Sequence, residues 1–97
     1  MIIAHFGKNN FSISGHSGYA ESGSDIVCAA VSAMTMLVCN TITDQFGDEA
    51  TINVDEAQNE VSLRLINDSE KSRKLIKGFQ NEIIQLQNEY PEFIKIN

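Results

Sequence analysis

Hydrophobic and polar positions along this chain repeat with two different periods, and the switches between them mark out six elements. Ile2 to Phe6 is short, apolar and rich in strand formers, and Phe11-Ser12-Ile13-Ser14 alternates with period two. Gly7-Lys8-Asn9-Asn10 between them is a turn-forming cluster, so the two runs predict a β-hairpin with Phe11 and Ile13 facing a core. Gly15 ends the alternation and frees the backbone to change direction before His16. Ser17 to Gly23 is small and polar and predicts a mobile loop in which only Tyr19 is suited to burial. From Ile26 to about Phe46 the residues are apolar almost all round, which predicts a central helix rather than one with a wet face. Ser24 or Asp25 serves as its N-cap and Gly47 as its C′ residue. Ala29, Ala30, Ser32 and Ala33 are small enough to let a sheet or another helix approach closely.

The second half repeats the scheme. Thr51-Ile52-Asn53-Val54 and Val61-Ser62-Leu63-Arg64-Leu65 alternate again around the polar turn Asp55 to Glu60. Asn67, Asp68 and Ser69 can each cap the next helix, and Glu70 falls three after Asn67 as in a capping box. Leu75, Phe79, Ile83, Leu86 and Tyr90 then recur at helical spacing until Pro91 stops the helix. Phe93, Ile94 and Ile96 form an apolar tail expected to dock. The order ββαββα predicts an α+β fold: a mainly antiparallel four-stranded sheet with two helices packed on one face. Residues 1–97 are one domain's worth of chain with a modest core, so burial of further surface in a homodimer is expected.

Charge narrows the partners. The net charge is −6, which disfavours direct nucleic-acid binding and suits a basic partner or basic peptide. Lys71, Arg73, Lys74 and Lys77 come near to clustering but fit a solvated helix face. The N-terminus lacks a signal-peptide pattern and no apolar stretch is expected to span a membrane, so a cytoplasmic protein with reduced cysteines is the expectation. On one helix Cys28 and Cys39 would stand roughly 16 Å apart, beyond disulfide reach.

The candidate chemistry sits at the two ends of the loop. With Ser24 or Asp25 as N-cap, Cys28 falls at N3 or N4 in the first helical turn. Free N–H groups there favour a thiolate and can hold an oxyanion. His16, at the end of the second strand, is placed to act as base and then as acid toward a leaving amine. Asp25 reads equally as a third group orienting His16 or as the N-cap. Tyr19 reads as a lid residue or a packed aromatic. His5 reads as structural or exposed and Cys39 as a buried hydrophobe. A zinc site of His16, Cys28 and a carboxylate lacks the paired spacing of structural zinc sites, and no cofactor is expected.

Gly15-His16-Ser17-Gly18-Tyr19-Ala20, then Gly23, then Asp25-Ile26-Val27-Cys28-Ala29-Ala30-Val31-Ser32, closely resembles the signature of the ribosomal-processing cysteine protease (Prp) family. Glu89-Tyr90-Pro91 and Phe93-Ile94-Lys95 resemble that family's ending. The resemblance implies a small homodimeric bacterial protease of one domain. It implies trimming of a short N-terminal extension from a large-subunit ribosomal protein, the one numbered twenty-seven, after an aromatic residue in a hydrophobic motif. His16 and Cys28 are the implied catalytic pair and Asp25 an implied helper. Ser17, Gly18, Tyr19, Gly23 and Ser24 belong to a loop implied to move over substrate. Ser17 stands where the family commonly has alanine, and the first hairpin turn is short. The reading from another class is a non-catalytic ribosome-assembly or interaction protein with both side chains inert.

Overall fold

The computed structural model describes residues 1–97 except Ser22. The first hairpin forms as β1 (Ile2–Phe6) and β2 (Asn10–Ser14), joined where the Gly7 amide donates to the Asn10 carbonyl at 2.9 Å. The second forms as β3 (Ala50–Asp55) and β4 (Glu60–Leu65). β2 and β4 pair antiparallel, with Phe11 opposite Leu63 and Ile13 opposite Val61, so the two hairpins fuse into one sheet. Directly opposed residues share a face, and this pairing puts the apolar set of both hairpins on the side that the helices cover.

The sheet has five strands rather than four. The apolar tail docks as β5 (Ile94–Ile96), parallel to β1, and the order is β3-β4-β2-β1-β5. Three residues are too few to show an alternation, which is why this strand reads in sequence only as a tail. Its Ile94 lies beside Ile2 and is 1% exposed.

α1 (Ile26–Asn40) buries Val27, Val31, Thr35, Val38 and Cys39. It continues through a π-helical turn, Thr41–Gln45, in which the Phe46 amide donates to the Thr41 carbonyl at 2.9 Å. Gly47, at φ 67°, then ends it. The whole run Ile26–Gln45 is long and apolar enough to cross a membrane by length and composition, contrary to the expectation from sequence. Here one side of it is packed in the core with Ile42 at its end. Its position is nonetheless not central. Ile26, Ala29, Ala33, Met36 and Leu37 form an exposed apolar stripe, with Leu37 66% exposed. A helix with one sheet beneath it and one neighbour beside it has a third side left over, and in this chain that side is apolar too.

α2 (Glu70–Glu89) packs Ile76, Phe79 and Ile83 into the same core. Phe79 meets Phe6 and Phe11 edge-on at 5.4 and 5.1 Å between centroids. Its N-cap is Ser69, which accepts from the Ser72 amide. The capping box expected at Asn67 does not form, because Asn67 is used elsewhere: its side chain accepts from the Glu49 amide at 2.8 Å and donates to Asp48.

Candidate active site

The local fold brings the expected residues together at one corner, where β2 ends, α1 begins and the β3–β4 turn passes. Asp25 is the N-cap of α1, which places Cys28 at N3. Asp25 Oδ1 accepts from the Cys28 amide at 2.9 Å, satisfying one of the orphan donors of the first turn. Asp25 Oδ2 accepts from the Ser17 hydroxyl. The Cys28 amide first and the Ser17 hydroxyl second hold the Asp25 carboxyl at about 2 instead of 3.8. Of the two readings of Asp25, the cap is therefore a structural fact, and the bonds it makes go to Ser17 and the first turn.

Ser17 departs from the loop expectation. It is buried, 3% exposed, whereas Tyr19 is 42% exposed. The Ser17 amide donates to Cys28 Sγ at 3.2 Å, and its hydroxyl oxygen also accepts from the Tyr19 amide at 3.1 Å. Tyr19 packs edge-on against Tyr90 and Phe93, at 5.7 and 5.3 Å between centroids, so the loop is tied to the C-terminal segment. The positive φ of Gly15, Gly18 and Gly23 lets the chain make these reversals, and at Gly15 a Cβ would stand 2.4 Å from the Met1 carbonyl oxygen. The expected loop from Ser17 to Gly23 includes Ser22, which lies outside the described residues.

His16 and Cys28 line one cavity, together with Gly18, Gly23, Ser24 and Asp25. His16 is exposed and Cys28 half-buried. The neighbour of His16 was not visible in sequence. Asn59, in the β3–β4 turn at φ 49°, places Nδ2 at 3.4 Å from His16 Nδ1 and donates to the Gly15 carbonyl at 2.6 Å. The Gly15 amide returns a bond to the Asn59 carbonyl at 3.1 Å. An asparagine in a polar turn reads as turn chemistry, and nothing in its local sequence signals a partner 44 residues away.

Cys28 also opens on a second cavity of about 160 Å³ between α1 and the second hairpin. Ile13, Val31, Met36, Val54 and Val61 give it apolar walls, and Asp55, Glu56 and Glu60 stand at the hairpin end. Cys39 is buried, and burial pushes its thiol up from the ordinary value. Among the described residues no three His, Cys, Asp or Glu side chains converge as a metal site. A half-buried thiol in a first helical turn, with an amide on its sulfur, an imidazole in the same cavity and an apolar groove beside it, is equipped for acyl transfer from a bound peptide.

Comparison with known proteins agrees. A family model described as Cysteine protease Prp matches residues 1–95. A protein of Mycoplasma pneumoniae named Ribosomal processing cysteine protease Prp is 34% identical over 102 residues, covering 97% of this chain and 91% of its own length. Its namesake from Staphylococcus aureus is 31% identical over 86% of this chain and 79% of its own length. A crystal structure of the essential ribosomal processing protease Prp from S. aureus, with a covalently linked product peptide, superposes with a TM-score of 0.92 at 25% identity, covering 100% of this chain and 98% of that one.

Proposed function

The chain belongs to the cysteine protease Prp family and is a cysteine protease, and on that premise we propose that Cys28 is its nucleophile, His16 its proton partner and a ribosomal protein precursor its substrate. The non-catalytic alternative falls with that membership. The observation that carries the assignment is the shared cavity: His16 and Cys28 line the same space, and the Ser17 amide already points at Cys28 Sγ.

In this reading His16 takes the thiol proton and the Cys28 sulfur attacks the scissile carbonyl carbon. The Cys28 amide is committed to Asp25, so the oxyanion falls to the earlier amides of the first turn, those of Ile26 and Val27. His16 then protonates the leaving amine, and water releases the acyl group from sulfur. The substrate is the N-terminal segment of the large-subunit ribosomal protein numbered twenty-seven, cut after an aromatic residue. The apolar groove along α1 beside Cys28 receives hydrophobic side chains of that segment. Gly18, Tyr19, Gly23 and Ser24 form the loop over it. A net charge of −6 favours a basic substrate.

A homodimer in the cytoplasm completes the reading. The exposed stripe of α1 continues onto Val54 of β3, 63% exposed, and Ile52, 37% exposed, both on the helix side of the sheet at its β3 edge. Contiguous apolar surface of this kind is what a second copy would bury.

The test is cleavage of a synthetic peptide spanning the precursor's N-terminal extension, with products identified by mass. The parent protein is expected to cut at one site after an aromatic residue. A scrambled peptide of the same composition cut equally well would overturn the substrate assignment.

A further inference from the structure

Ser17 has no task in the proposed mechanism, and it is the most buried of the described loop residues, at 3% exposure. Three polar contacts among Ser17, Asp25 and Cys28 close a ring around the nucleophile. The Ser17 amide donates to Cys28 Sγ at 3.2 Å, the Ser17 hydroxyl donates to Asp25 Oδ2, and Asp25 Oδ1 accepts from the Cys28 amide at 2.9 Å. The Tyr19 amide, donating to the Ser17 hydroxyl oxygen at 3.1 Å, fixes the hydroxyl's lone pairs so that its proton is directed at Asp25.

We propose that Ser17 is a positioning residue whose hydroxyl, anchored on Asp25, holds the Ser17 amide against the Cys28 sulfur and so sets how readily that thiol ionises. The proposal rests on Cys28 being the nucleophile, but the contact it concerns can be read directly on the sulfur.

The charges around Cys28 show why such a donor matters. Asp25 lies on the cap of its own helix, and Asp55, Glu56 and Glu60 of the second hairpin border the groove that Cys28 also lines. His16, at the end of β2, is the one basic side chain among the described residues of the same cavity. Against carboxylates on both sides, the N–H donor held on the sulfur is the group the structure offers to negative charge there. Removing the Ser17 hydroxyl leaves Oδ2 of Asp25 without that donor and lets the Ser17 amide drift from the sulfur. Both changes act in one direction, against the thiolate.

The experiment is the pH dependence of iodoacetamide alkylation, followed by mass spectrometry on the Cys28 peptide, in the parent, Ser17→Ala and Ser17→Thr, with circular dichroism as the check of fold. For Ser17→Ala the alkylation profile should move to higher pH. The rate at neutral pH should fall roughly three- to ten-fold, the scale of one ordinary hydrogen bond. kcat should fall by a similar factor and KM stay within about two-fold. Ser17→Thr keeps the hydroxyl and should keep the parent profile. An unchanged profile in folded Ser17→Ala overturns the proposal, even if cleavage falls, since the hydroxyl then serves the loop alone. Should Ser17→Ala fail to fold, a shifted profile in Ser17→Thr overturns it and a parent-like one supports it. Because the alkylation is measured on Cys28 itself, failure of the nucleophile assignment shows separately, as Cys28→Ala cleaving normally.

Discussion

Asn59 offers a way to separate backbone strain from site geometry at a single position. It sits at φ 49°, donates from Nδ2 to the Gly15 carbonyl at 2.6 Å and places the same atom 3.4 Å from His16 Nδ1. Asn59→Gly removes the side-chain bonds and keeps a residue suited to the left-handed backbone. The lost bond costs about 1 kcal/mol, and the freer unfolded chain costs about 0.5 kcal/mol more. Asn59→Ala loses the same bonds and also places an alanine in the left-handed region, which adds about 1–2 kcal/mol of strain. For a domain near this size about 1 kcal/mol moves Tm by roughly 4–8 °C. Asn59→Ala should therefore melt clearly below Asn59→Gly, and both below the parent. Activity should behave differently. Both variants lose the same hold on the strand end that carries His16, so both should lose kcat/KM by about the same factor, roughly five-fold for one hydrogen bond. The assays are thermal unfolding by circular dichroism and steady-state peptide cleavage on the same preparations. Parent-like kcat/KM in Asn59→Gly would refute a role for Asn59 in placing His16. Equal melting of the two variants would refute the strain argument.

Other consequences can be checked as directly. The Asp25 carboxyl is depressed to about 2 in the fold, first by the Cys28 amide, so its contribution to stability is complete above about pH 4 and is lost as pH falls through 2. The gap in Tm between the parent and Asp25→Asn should be constant above pH 4 and narrow toward pH 2, and a gap that grows on acidification contradicts the sign. Asp48 is depressed as well, by Ser69 and Ser72, but it titrates in both proteins and cancels from the difference. Cys39, buried with its thiol pushed up, should resist iodoacetamide at pH 8 while Cys28 reacts, and both should label in urea; equal native labelling would contradict its burial. Leu37→Glu puts a charge on the exposed α1 stripe through which the proposed homodimer would form, so it should sediment lighter than the parent at micromolar concentration; equal sedimentation of the two contradicts that interface.

The sequence carried the element order well because strands and helices here keep their periods cleanly. Phe11, Ile13, Leu63 and Leu65 alternate as expected, and Ile76, Phe79 and Ile83 recur as a helix face. The two ends of the site were legible for the same reason, since His16 falls where an alternation stops and Cys28 three residues after a capping aspartate. What escaped depends on contacts between distant segments. Periodicity cannot say which side of an all-apolar helix is covered, so the bare stripe of α1 was hidden in its composition. A serine among glycines reads as solvated, although Ser17 turns inward because Asp25 and Cys28 offer it partners. Asn59 and the pairing of β5 with β1 depend on chain separations that no local pattern encodes.

The central claim is that Cys28 attacks the peptide and carries its acyl portion. Rapid quenching of the parent protein with the precursor peptide, followed by intact-mass and fragment analysis, measures this step itself. The account predicts a transient adduct equal to the N-terminal cleavage fragment less water, located on Cys28, and neither adduct nor cleavage in Cys28→Ala. Cleavage by Cys28→Ala at the parent rate, or an adduct on Cys39, would contradict it.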